Sequence, residues 1–232
     1  MRSQPLPFSK RLRESTRKAH SMAERAGFIR GFLRGVIDPS NYRQLLTDYH
    51  HVYAAMEDVM TASDHPIVQQ VYFSELLRLP ALEQDLAFFA GSSWSLGIRA
   101  SGAARAYADR VREIAQHEPA LLVAHAYTRY LGDLSGGQIL KKILVQSLDL
   151  PAGQGIAFYE FPEIEDHAAF KIQFRRALDQ LPIDAAIQDA IIGEANLVFR
   201  LNTAVFDELS GSAWDSVISM ISHAFATPAR AA

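Results

Sequence analysis

The sequence predicts an all-α protein of one domain, on three observations. Apolar residues recur at helical spacing along nearly the whole chain, and no two alternating apolar runs are joined by an Asn-Gly or Asp-Gly hairpin signal. The breaks between periodic stretches carry helix-start chemistry: Asp38-Pro39-Ser40, Ser63-Asp64-His65-Pro66, Leu79-Pro80, Gly91-Ser92-Ser93, His117-Glu118-Pro119, Leu150-Pro151 to Gly155, and Leu181-Pro182-Ile183-Asp184. They delimit about eight helices. No long polar linker, fixed repeat or internal low-complexity block interrupts the series, and 232 residues that are 49% hydrophobic suffice for one full core. The expected boundaries are a flexible segment over 1–9, a single domain over 10–225 and a disordered tail over 226–232.

Composition narrows the function classes. A net charge of -3 supplies no broad positive surface for nucleic acid or anionic lipid. With no cysteine, disulfides, thiolate metal sites and cysteine nucleophiles are excluded, leaving histidine and carboxylates for any metal chemistry. The first ten residues lack the apolar core of a secretory signal, which points to the cytoplasm. Trp214 to Phe225, the most apolar C-terminal stretch, is interrupted by Asp215, serines and His223 and falls short of the roughly 20 residues of a membrane span. A small, largely apolar ligand suits this chain better than nucleic acid or a membrane.

The first helix is expected between Leu12 and Leu33. Its Arg13, Arg17, His20 and Glu24 are spaced by four, three and four, so they share one stripe. A neutral imidazole is a good iron ligand, a carboxylate one turn away can hold its ring directly or through water, and two guanidiniums can grip carboxylates. The same stripe equally suits the solvent face of an amphipathic helix.

Leu121 to Leu144, LLVAHAYTRYLGDLSGGQILKKIL, reads as helix on both sides of a centre that contains Gly132, Gly136 and Gly137. Three glycines there cost on the order of 2–3 kcal/mol relative to alanine, so a packing or functional need must offset them. Gly132, Asp133, Gly136 and Gly137 share a face, which offers bare backbone and one carboxylate to a flat ligand. A tight helix crossing explains the glycines as well, and so does a kink at Ser135-Gly136. A phosphate loop is discarded, because no strand precedes the segment and Gln138 stands where lysine is needed. His125, two turns before Asp133, reads as a hydrogen-bonded core histidine.

The run AHAYTRYLGDLSGGQ, Ala124 to Gln138, resembles the signature of the haem oxygenases. LRESTRKAH, VYFSELLR, ALEQDLAFF and FKIQFRRAL follow in the expected order, and the resemblance covers about residues 10 to 210, closest to the animal and cyanobacterial type. It implies a helical fold with haem b between a proximal helix, whose His20 binds the iron, and a kinked distal helix containing Gly132, Ser135, Gly136 and Gly137. By the same resemblance Glu24 is the partner of His20, and Arg13, Arg17, Lys171 and Arg175 meet the haem propionates. Many members carry lysine where this chain has Arg13 and Arg17, a change that keeps the charge and alters the geometry. Asp133 is matched to the carboxylate that orders distal water, with Arg129 and Tyr53 in its network. Tyr127, Phe199, Asn202 and Phe206 are matched to the pocket surroundings, the last three on one helical face.

The implied activity is oxidative cleavage of haem by dioxygen to biliverdin, expected as the IX-alpha isomer, with carbon monoxide and ferrous iron. A form without the membrane anchor of animal members is implied, and with it a ferredoxin or flavodoxin-like electron donor. Two rivals fit less well. A haem storage or transfer module needs neither Asp133 nor the glycine face, and a di-iron carboxylate bundle needs Glu-x-x-His pairs, which the chain lacks.

Overall fold

The computed structural model describes the backbone of residues 6–225 and the side chains of residues 6–210. Within them the regular structure is all helical, with ten α-helices and no strand among the described residues. They are α1 (Phe8–Ala23), α2 (Gly27–Leu33), α3 (Pro39–Thr61), α4 (Pro66–Gln69), α5 (Leu79–Ala90), α6 (Gly102–His117), α7 (Leu122–Asp133), α8 (Gly136–Leu148), α9 (His167–Asp179) and α10 (Ala185–Phe225). The two helices beyond the expected eight arise because the first and the glycine-bearing periodic stretches are each broken in two.

Local chemistry accounts for the starts. Asp38 caps α3, accepting from Ser40 N at 2.8 Å and Asn41 N at 3.0 Å ahead of Pro39. Ser101 caps α6 through Ala104 N, and Asp184 accepts from Ile187 N at the head of α10. Asp166 caps α9 at 2.8 Å to Ala168 N. That start lies well past the Pro151–Gly155 break, because residues 149–166 form a connection with only one short 3-10 turn at Ala157–Tyr159.

The N-terminal boundary is two residues earlier than expected. Phe8 is 4% exposed in the core, and Ser9 donates from N and Oγ to Asp179 of α9, so both belong to the ordered helix α1. The expected tail over 226–232 lies outside the described residues. No helix of the described residues is long and apolar enough to cross a membrane.

α3 packs on α5 and α6, while α10 lies along α1, α7 and α6 and also meets α2 and α3. The core between them is filled by side chains such as Tyr42, Met56, Leu82, Val111 and Phe174. α10 therefore touches both the His20 helix and the glycine-bearing helix, which fixes their spacing.

Candidate functional site

Two interruptions shape the site. After Ala23 the chain leaves α1: the Glu24 N–H donates to His20 O, Arg25 and Ala26 make tight three-residue turns, and α2 begins at Gly27. A Cβ on Gly27 would lie 3.0 Å from Ser210 Oγ, so the glycine lets α2 start hard against α10. Phe28 then stacks on Phe206 at 6.1 Å. The second interruption falls at Leu134–Ser135, between α7 and α8, where Ser135 has φ -110° and ψ -75°.

The glycines divide among the three readings that the sequence left open. The backbone does bend between Asp133 and Gly136. A Cβ on Gly137 would stand 3.2 Å from the Tyr159 ring, so that glycine serves close packing. A Cβ on Gly132 or Gly136 would meet nothing within 4 Å. Among the described residues no helix crosses there; both face a cleft of about 230 Å³.

From α1 and its end the cleft receives His20, Ala23 and Glu24; from the distal side it receives Arg129, Gly132, Asp133, Gly136 and Gly137; α10 adds Phe199, Asn202 and Phe206. His20 is 56% exposed, meets Phe199 edge-on at 5.5 Å, and has Nδ1 3.6 Å from Glu24 Oε1. That gap exceeds a direct hydrogen bond and suits a bridging water.

Opposite His20 lies a buried polar network. Tyr53 donates to Asp133 Oδ2, and Arg129 donates from Nε to the Tyr53 hydroxyl at 2.9 Å, from Nη1 to Asn202 Oδ1 at 2.6 Å and from Nη2 to Asp133 Oδ1 at 3.3 Å. The guanidinium also lies over the Tyr49 ring at 4.3 Å. Burial raises the Asp133 carboxyl above the usual carboxylate range, against the opposing pull of Arg129 and the Tyr53 hydrogen bond. Burial likewise pushes the Tyr53 phenol well up, so it stays neutral and donates. The Thr128 hydroxyl, one turn before Gly132, lines the cleft, is buried and has no hydrogen-bond partner among the described residues, so it is ready for a water or ligand.

The structure does not bring every expected residue to the cleft. Arg13, Arg17, Tyr127, Ser135, Lys171 and Arg175 are not in its lining. Tyr127 is instead largely buried, hydrogen-bonded with Thr16, with Arg13 and Arg175 close enough to favour its ionised form, although burial dominates and raises its pKa. Arg13 of α1 and Arg175 of α9 thus both come close to Tyr127. Lys171 reaches Ser135 Oγ at 3.4 Å, and Arg17 is exposed on α1. His125 is fully buried and bonded to Glu194 Oε1 at 3.1 Å, with Arg110 donating to both oxygens of that carboxylate, as a core histidine should be.

Sequence reasoning missed Tyr49, Thr128, Phe28 and Phe32. Tyr49 had a signal, since it stands one turn before Tyr53 on α3. The phenylalanines of α2 had none, because the turn that points them into the cleft depends on contact with α10.

Comparison with known proteins agrees with this arrangement. The heme oxygenase family model matches residues 6–208. Heme oxygenase 1 of Nostoc sp. is 51% identical over 206 residues, 88% of this chain and 87% of that protein. Human heme oxygenase 1 is 42% identical over 89% of this chain and 73% of its own length. The crystal structure of Synechocystis sp. heme oxygenase-1 in complex with heme superposes with a TM-score of 0.90 at 48% identity, covering 94% of this chain and 99% of that one. With the family model spanning most of the chain and the fold matching over nearly its full length, the chain belongs to the haem oxygenase family.

Proposed function

We propose that this protein is a haem oxygenase that binds haem in the cleft between α1 and α7–α8 and degrades it. The observation that carries the reading is the bare backbone of Gly132 and Gly136, open on the cleft side and beside a buried carboxylate with a raised pKa. The residues fit haem: an imidazole at the mouth, aromatic and aliphatic walls, and a glycine cradle that side chains would fill. Similarity to a haem-complexed structure supports the same ligand.

Haem, when bound, supplies the redox chemistry with dioxygen and incoming electrons, its own ring being the substrate opened to biliverdin, with carbon monoxide and ferrous iron released. His20 would hold the haem iron through an imidazole nitrogen, its ring oriented by Glu24 through water. Phe28, Phe199 and Phe206 hold the ring plane by apolar contact. Arg13, Arg17, Lys171 and Arg175 attract the propionates as a charged rim at the end where α1 and α9 meet. Gly132 and Gly136 would leave room against the haem face on the α7–α8 side that side chains would otherwise fill.

Asp133 accepts from water and returns protons to the distal face. Tyr53 and Arg129 keep its two oxygens aimed, and Asn202 and Tyr49 keep Arg129 in place. Storage of haem has no use for such a network. Electrons come from a ferredoxin or flavodoxin-like carrier. The test is to load the protein with haem, supply a ferredoxin reducing system in air, and analyse the pigment and gas. Biliverdin with carbon monoxide is the expected result; a haem complex that survives reduction in air unchanged returns the storage reading.

A further inference from the structure

Three phenols run in single file from the cleft into the core. Tyr49 lines the cleft, and its ring centre is 6.0 Å from that of Tyr53, which in turn is 6.2 Å from that of Tyr130. Tyr49, Tyr53 and Glu57 follow one another at spacings of four on α3, so they share one stripe. Tyr130 of α7 stands against the last of them, its hydroxyl donating to Glu57 Oε1 at 3.4 Å. Tyr130 and Glu57 are 1% and 5% exposed, and neither lines the cleft. The proton network around Asp133 gives no use to this far end of the row.

Charge grades the row. A ring that gives up an electron becomes positive, so a neighbouring cation disfavours the loss and a neighbouring carboxylate favours it. The Arg129 guanidinium lies 4.3 Å from the Tyr49 ring centre and 5.2 Å from that of Tyr53, and it donates to the Tyr53 hydroxyl at 2.9 Å. An electron is therefore hard to take from either. Tyr130 has a carboxylate instead, and that carboxylate is placed to receive the proton a phenol sheds on oxidation. Burial pushes the Glu57 carboxyl up to about 7, against the N–H groups of Arg78 and Leu79, so it readily takes a proton near neutrality. Arg78 also faces this corner. Its guanidinium is bonded to the carbonyls of Glu75, Leu76 and Glu160, and Glu57 and Asp133 act on Tyr130 more strongly than it does.

We propose that Tyr130 is a protective oxidation site: it gives an electron, by way of Tyr53, to haem that an organic peroxide has over-oxidised, and passes its phenolic proton to Glu57. This rests on the haem oxygenase reading above. The O–O bond of the peroxide breaks; the peroxide leaves as an alcohol, or a peracid as its acid, and its other oxygen stays with the haem. The haem thereby loses two electrons, one from the iron and one from the ring. Tyr130 refills the ring and becomes a neutral phenoxyl beside a protonated Glu57. One electron from the reducing system, with the proton that Glu57 holds, restores the phenol. Its burial keeps the phenoxyl from other molecules in the interval.

The test is to mix the haem-loaded protein with peroxybenzoic acid, freeze it rapidly and record its electron paramagnetic resonance. A tyrosyl signal is expected. Tyr130→Phe should lose it, Tyr49→Phe should keep it, and Glu57→Gln should lose most of it, because an amide does not take the proton. Placing meta-fluorotyrosine at position 130 should change the hyperfine pattern, a readout that does not depend on the phenylalanine variant folding. Pigment formation with a ferredoxin reducing system and no peroxide should be the same in Tyr130→Phe as in the unmodified protein. Absence of a tyrosyl signal, a signal that survives Tyr130→Phe, an undiminished signal in Glu57→Gln, or a hyperfine pattern indifferent to the fluorine each overturns the proposal. If the unmodified protein forms no pigment with ferredoxin, the oxygenase reading fails, while the resonance spectra still decide the role of Tyr130.

Discussion

Gly132→Ala separates the needs of the chain from the needs of a ligand. In the haem-free protein the added methyl meets nothing within 4 Å, and Gly132 is not among the residues with positive φ. Alanine in place of helical glycine is worth about 0.5–1 kcal/mol, and the last turn of α7 warrants the lower figure. The melting temperature of the haem-free chain should therefore rise by roughly 1–2 °C. With haem bound the sign reverses: the methyl projects about 1.5 Å further into the cleft than the bare Cα, where the ring or distal water must lie. Haem affinity should fall about tenfold, close to 1.4 kcal/mol, with a matching loss of biliverdin. Differential scanning calorimetry, haem titration followed by absorbance and pigment chromatography read the three quantities. A lower melting temperature would mean that the glycine serves the chain, and unchanged affinity and product together would mean that nothing lies on that face.

Asp133→Asn should still bind haem but lose most biliverdin formation, with peroxidase-like oxidation of guaiacol taking its place; undiminished biliverdin removes Asp133 from the mechanism. His20→Ala should abolish the nitrogen-ligated haem spectrum and most turnover, with added imidazole restoring the spectrum, and an unaltered spectrum identifies another ligand. Burial by itself would raise Glu194, yet hydrogen bonds from His125 and Arg110 outweigh it and hold the carboxyl at about 2, below its unfolded value near 4.5. Its contribution is thus complete at neutral pH and lost as pH falls from about 4.5 towards 2. Glu194→Gln should cost on the order of 3 kcal/mol in urea unfolding at pH 7 and little at about pH 2.5, and equal deficits at both would refute the assignment.

Much of this was legible in the sequence because it is local. Asp38-Pro39-Ser40 caps a helix wherever it is placed, and the cost of Gly132, Gly136 and Gly137 in one helix announces a special face before any coordinates exist. Arg129, Asp133 and the α10 residues Phe199, Asn202 and Phe206 keep the helical spacing that puts each set on one side. What stayed hidden depends on contacts distant in the chain. The break after Ala23 has no proline and only Gly27 to mark it, and its reason is the approach of Ser210 some 180 residues later. The same turn brings Phe28 and Phe32 into the cleft. The glycine trio looked uniform in sequence, yet Gly137 answers to Tyr159 while its neighbours answer to open space. The basic residues illustrate the opposite limit: their charges were readable, but Arg13 and Arg175 lie by Tyr127 and Lys171 by Ser135, outside the cleft lining.

The two walls of the cleft are anchored very differently. Asp133, Arg129, Tyr53 and Asn202 are buried and tie α3, α7 and α10 together, so disturbing them means opening the core. His20 sits in the final turn of α1, more than half exposed, with a break in the chain just behind it. An enzyme that destroys its cofactor in every cycle must admit a fresh one and release a bent, ring-opened product each time. With this division of rigidity, the wall that yields is the one carrying His20, proposed above as the iron ligand, and the wall built on the buried Asp133 network is the one that stays in place from one haem to the next.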